Sequence, residues 1–155
     1  MNRKFLPVSI DITNEKILVL GGDQNALKKI LILLRFGALV DVVSRKVNEE
    51  IKLLGVKHQI KHYEPSDLEG YLMVYSCLNN VAIDRQIQLD AKTYGTLVNT
   101  HDKPQYCQFI SPAIFQHRYL TVAVASNGQN VYNSIKLRDH LSSYLNENIQ
   151  KIIDL

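Results

Sequence analysis

The chain has 155 residues and a formal net charge of +3, and 46% of its residues are hydrophobic. That length suits a compact fold able to bury roughly 70% of its unfolded surface, and the apolar share is that of an ordinary globular protein. Lysine and arginine are dispersed rather than gathered into a stripe, which argues against nucleic acid, and the longest aliphatic run, Ile30 to Leu34, is too short to span a membrane. The opening MNRKFLPVSIDI has no apolar core of the kind a secretory leader carries. Cys77 and Cys107 form no C-x-x-C pair, so a reduced, cytoplasmic setting is expected.

In chain order, Phe5 to Ile12 reads as a short opening strand, closed by the polar turn Thr13-Asn14-Glu15. The next stretch, Lys16 to Phe36, organises the rest. Five strand-like residues ending at Leu20 run into Gly21-Gly22, and a strongly apolar helical pattern follows directly. Strand, glycine turn and helix open a dinucleotide-binding βαβ unit. In such a unit the first glycine permits the tight turn, a second lets backbone amides approach a pyrophosphate, and the helix N-terminus supplies positive dipole. Set in the G-x-G-x-x-G/A register, Gly21 and Ala26 fill the first and last places, but Asp23 stands where the close-approach glycine belongs. It adds bulk and negative charge where a diphosphate would lie. A purely structural turn, with Asp23 capping its own helix, is the alternative.

Gly37 ends that helix, and Leu39 to Val43 forms the second strand. Its tip, Val43-Ser44-Arg45-Lys46, has no acid to hold ribose hydroxyls, and Asp41 lies inside the strand. Arg45 and Lys46 suit either a 2′-phosphate or plain solvent. The candidate cofactor contacts are therefore Gly21, Gly22, Asp23, Gln24, Asn25, Ser44 and Arg45.

Asn48 to Leu54 then suits a short helix, Gln59 to Tyr63 a third strand, Leu72 to Cys77 a fourth, Val81 to Tyr94 a helix, and Thr96 to Thr100 a fifth strand. This alternation predicts an α/β fold with a parallel, doubly wound sheet, whose ligands sit beyond the carboxyl ends of the strands. Gly21-Gly22, Ser76 to Asn80 and Asn99 to Asp102 fall along that rim. From Tyr132 the chain reads as helix, capped by Asn130, with Ile135, Leu141, Leu145, Ile149, Ile152 and Ile153 on an apolar side suited to a core or a dimer seam. His101 and Cys107 flank Asp102 without metal-ligand spacing, so no metal site is expected.

The stretch Asn99 to Gly128, NTHDKPQYCQFISPAIFQHRYLTVAVASNG, is the most specific part of the sequence. It resembles the siroheme synthase N-terminal family, whose short form is precorrin-2 dehydrogenase and, in some members, sirohydrochlorin ferrochelatase. The matching residues include Asn99, Asp102, Pro104, Phe109, Ile110, Pro112, Ala113, Ile114, Leu120, Val122, Ala123, Val124, Ser126 and Gly128. Phe5-Leu6-Pro7-Val8 and Val19-Leu20-Gly21-Gly22 with Ala26 also fit, so the resemblance runs from about Phe5 to Leu145.

The resemblance implies a Rossmann-type parallel sheet over residues 1–110, followed by a dimerisation segment and a short C-terminal helical region over 111–155. It also implies a homodimer that oxidises the tetrapyrrole precorrin-2 to sirohydrochlorin with NAD and, in some members, takes ferrous iron as a second substrate. Asp102 falls on the family's essential aspartate, a carboxylate suited to accept protons. Its alternative is an ordinary turn residue ahead of Pro104. Asn99 and the loop Ser126-Asn127-Gly128 fall on the substrate side, with Asn127 in place of a glycine. Asp23 predicts weak NAD binding, and with the altered Asn127 loop it supports an alternative: a member that acts as chelatase only, or as a non-catalytic tetrapyrrole-binding module.

Overall fold

A computed structural model of the chain describes residues 3 to 153. These residues form two compact units, Leu6–Phe109 and the combination of residues 3–5 with 110–153.

The larger unit is a five-stranded, fully parallel sheet. Its strands are β1 (Lys16–Leu20), β2 (Leu39–Ser44), β3 (Lys57–Ile60), β4 (Met73–Ser76) and β5 (Leu97–Thr100), in the spatial order β3-β2-β1-β4-β5. Helices α1 (Gln24–Arg35), α2 (Glu49–Leu53) and α3 (Val81–Tyr94) follow β1, β2 and β4, and a short 3-10 turn at Pro65–Leu68 lies in the crossover from β3 to β4. Helices cover both faces, so the central strands are apolar throughout. Ile17, Val19, Val40 and Val42 pack under Ala26, Ile30 and Leu33 of α1, while Leu18, Leu20 and Val74 pack with Ile87 and Ala91 of α3. The strand order reverses between β1 and β4, which is where open α/β sheets leave a crevice for ligands.

Two expectations need correction here. Phe5 to Ile12 is not a strand. The segment pairs with no strand of the sheet, Pro7 has no amide to donate, and Leu6, Val8 and Ile10 stay exposed. The chain first turns where the Asp11 carboxylate accepts from the Thr13 amide, and only then enters β1. The third strand is also displaced, to Lys57–Ile60 from the expected Gln59 to Tyr63. Its register explains this: Ser44, the last residue of β2, pairs with Ile60, and the pairing ends where the Lys61 amide donates to the Ser44 carbonyl at 3.2 Å. The strand beginning at Lys16 and the helix Val81–Tyr94 lie where the sequence put them.

The smaller unit contains an antiparallel hairpin, β6 (Ala113–His117) and β7 (Leu120–Val124), and the long helix α4 (Val131–Ile153) packed on it. The sequence reading treated these strands only as a motif. Their turn is Arg118-Tyr119, with Arg118 at φ +51°, and it lacks the Asn-Gly or Asp-Gly signal that makes a two-residue turn legible. Asn130 caps α4, as expected, by accepting from the Asn133 amide at 3.0 Å.

Candidate functional site

The rim at the carboxyl ends of β1, β4 and β5 brings together three of the predicted segments. At the β1–α1 turn, Gly21 has φ +124°, and a Cβ there would stand 3.1 Å from Cys77 Cβ. At Gly22 a Cβ would meet the Lys46 carbonyl at 2.1 Å, because the chain leaving β2 presses on this residue. Both glycines are thus required by the protein's own backbone, quite apart from any ligand.

Asp23 follows as the N-cap of α1. Its Oδ1 accepts from the amides of Asn25 and Ala26, both at 3.0 Å. These amides belong to the helix N-terminus that would otherwise face a phosphate. The turn therefore fits a dinucleotide in its backbone path and in its position at the strand-order reversal, whereas the Asp23 carboxylate already holds two of the donors. The remaining cofactor candidates are engaged or outward. Gln24 donates to Glu50 at 3.2 Å, the Ser44 hydroxyl donates to the Lys46 carbonyl at 2.8 Å, and Arg45 is exposed. Asp41 accepts from Tyr71 at 2.6 Å, an acid spent within the fold.

Beyond β5, Asp102 sits in a turn at φ +55° with its side chain 74% exposed, and His101 Nε2 is 3.4 Å from its carboxylate. Asn99, the residue three before it, is buried and donates from Nδ2 to the Phe109 carbonyl at 3.0 Å. That bond closes the loop carrying Asp102. Cys107 reinforces the closure: its Sγ accepts from the Thr100 amide at 3.1 Å and donates to carbonyls at Thr100 and Lys103. Among the described residues no group of three or more His, Cys, Asp or Glu side chains is placed to hold a metal. Ser126, Asn127 and Gly128 belong to the smaller unit. There Ser126 Oγ accepts from the Asn130 amide at 2.9 Å, and Asn127 and Gly128 both adopt positive φ. The left-handed turn therefore survives with asparagine in place of glycine.

Two groups escaped the sequence reading. Lys29 of α1 is half-buried, with its ammonium 5.7 Å from the centre of the Tyr75 ring. Burial lowers its pKa, opposed by Cys77, Asp102 and Cys107. A lysine interrupting the apolar stripe of Ala26, Ile30 and Leu33 was the available signal. The second is Asp84, fully buried in the first turn of α3, where it pairs with Lys103 at 2.8 Å. An acid in a first helical turn ordinarily reads as an exposed partner of the dipole, so nothing local announced it. Cys77, at the end of β4, is buried and its thiol is pushed up to about 12, as befits a packed apolar residue.

A parallel sheet with its strand-order reversal beside a glycine turn defines a Rossmann-type nucleotide-binding protein. The chain belongs to the family described as putative NAD(P)-binding, which it matches over residues 8–113. This membership supports NAD, the cofactor read from the sequence. The siroheme synthase resemblance is borne out as well. The chain is 29% identical over 155 residues to a siroheme synthase of Zymomonas mobilis, covering 97% of this chain and 33% of that protein. It is 31% identical over 146 residues to a siroheme synthase of Nitrosomonas europaea, covering 91% and 31%. It thus spans about a third of the length of these curated relatives. Its fold matches the solved structure titled SirC, precorrin-2 dehydrogenase, with a TM-score of 0.78 and 23% identity over 90% of this chain and 71% of that one.

Proposed function

We propose that this protein oxidises precorrin-2 to sirohydrochlorin in siroheme biosynthesis, with NAD as hydride acceptor and Asp102 as proton acceptor. The observation that carries this reading is the exposed Asp102 carboxylate at the end of β5, on the same sheet rim as the β1–α1 glycine turn, in a chain whose relatives bear siroheme synthase names. NAD, when bound, supplies the two-electron acceptor. The chain's own share is to hold the dinucleotide at Gly21 to Asn25 and to take a proton at an Asp102 oxygen. Asn99 serves this proton transfer by closing the loop rather than by reaching outward.

The smaller unit would contribute substrate contacts through Ser126, Asn127 and Gly128, and a homodimer interface. Ferrous iron insertion into sirohydrochlorin is a further step that the same carboxylate would serve. The Asp23 cap favours a second reading, in which dinucleotide chemistry is lost and the protein acts only as a chelatase or tetrapyrrole-binding module. Titration of the purified protein with NAD⁺ and NADP⁺, followed by turnover of precorrin-2, separates the two. Saturable NAD⁺ binding and NADH formation support the dehydrogenase. Iron insertion without dinucleotide binding supports the second reading.

A further inference from the structure

Lys103 is the sequence neighbour of Asp102, yet its ammonium does not pair with that carboxylate. It turns inward to Asp84 Oδ2 at 2.8 Å, where the Lys103 side chain is 17% exposed and that of Asp84 is fully buried. The other oxygen of Asp84 accepts from the Ser76 hydroxyl at 2.7 Å. Ser76 ends β4, Asp84 lies in the first turn of α3, and Lys103 belongs to the loop after β5. One carboxylate therefore ties three rim elements together, with both of its oxygens satisfied. A buried charge needs that degree of pairing to be tolerated.

Stability alone does not explain the choice of partners. Buried ion pairs contribute little net stability compared with well-packed apolar side chains, so this one is a weak stabiliser for the burial it requires. Its distinctive consequence concerns the residue next door. A flexible lysine beside an exposed aspartate is an available counter-ion, and an ammonium within about 4–6 Å makes a carboxylate a poorer proton acceptor. With Lys103 held by Asp84, the titratable groups coupled to Asp102 are His101 beside it, Lys29 from α1 and Cys77 at the end of β4.

We propose that Asp84 is a positioning residue for the reaction: it draws the Lys103 ammonium inward, so that the Asp102 carboxylate stands at the rim unpaired with its lysine neighbour and free to accept a proton. The inference rests on the role given to Asp102 above.

The test compares wild type, Asp84→Asn, and the double variant Asp84→Asn with Lys103→Met. Precorrin-2 turnover with NAD⁺, its pH profile and the thermal midpoint are measured for each. Asp84→Asn releases Lys103, so kcat should fall about 3- to 10-fold with KM nearly unchanged, as general-base efficiency follows basicity. The acid limb of the profile should move down by roughly one pH unit. Removing the freed ammonium in the double variant should restore most of kcat and return the acid limb, although the tie itself stays broken. A loss in Asp84→Asn that tracks the thermal midpoint and is not rescued by Lys103→Met would overturn the proposal, as would an unchanged kcat and profile.

If wild type proves inactive on precorrin-2, the functional reading fails, and a second readout still decides the inference. Carboxyl-carbon NMR titration of Asp102 should then show its midpoint at lower pH in Asp84→Asn than in wild type and in the double variant. Equal midpoints in all three proteins would overturn it.

Discussion

At the residue scale, Asp23 and Asp102 carry opposite kinds of consequence. The Asp23 carboxylate takes the Asn25 and Ala26 amides, so a pyrophosphate meets both a filled donor pair and a like charge. Solvent screens that repulsion at an exposed turn, and the expected loss in NAD⁺ affinity is about 5- to 150-fold. Asp23→Gly should therefore tighten NAD⁺ binding by a factor in that range, measured by calorimetric titration. Its stability cost is small, a few tenths of a kcal/mol, because glycine is itself an acceptable N-cap. Tight binding by the wild-type protein would instead mean that the bound loop turns Asp23 away. For Asp102 the test is Asp102→Asn, whose amide cannot accept the proton. The residue is exposed in its turn, so the fold should persist with an unchanged thermal midpoint while most activity disappears. Activity within a few-fold of wild type, in dehydrogenation and in iron insertion alike, would remove Asp102 from the reaction.

At the scale of elements, the β1–α1 turn is built by two close approaches. Gly21 lies against the end of β4 and Gly22 against the loop after β2, so the turn is fixed before any ligand arrives. Gly22→Ala places a methyl group 2.1 Å from the Lys46 carbonyl, and backbone on both sides must shift. Overpacking of this kind costs about 1–3 kcal/mol, visible as a lowered midpoint in urea denaturation with unchanged slope. An unaltered midpoint would show that the loop after β2 moves freely away from the turn. The loop after β5 is held differently, by the Asn99 amide, the Cys107 sulfur and the Lys103–Asp84 pair. Asn99 of β5, Cys107 and Lys103 of the loop itself and Asp84 of α3 all contribute side chains to it, whereas the β1–α1 turn depends on missing side chains.

For the whole molecule, the smaller unit bears the assembly question. Tyr119, Val131, Tyr132, Leu137 and Tyr144 are each more than half exposed there. We predict a homodimer whose interface draws on part of Pro112 to Leu145. Sedimentation velocity at micromolar concentration should show a single dimeric species, and a clean monomer would count against it. Among the described residues no helix is long and apolar enough to cross a membrane.

The sequence by itself determined what depends on local signals. A continuous run of β-type residues before Gly21-Gly22 gave β1, the apolar period gave α1 and α3, and the motif around Asn99 to Gly128 gave the family, because each signal is complete within a short window. It also left Asp23 open between a compromised phosphate site and a helix cap, and the cap is what the fold contains. Tertiary structure alone decided which partners meet. The Lys103–Asp84 pair joins residues 19 apart, the Asp41–Tyr71 bond residues 30 apart, and Gly22 is fixed by a carbonyl of the β2–α2 loop. The opening segment shows the same division. Its alternating apolar residues favour a strand, but a strand exists only where a neighbouring edge supplies hydrogen-bond partners, and this sheet offers Phe5 to Ile12 none.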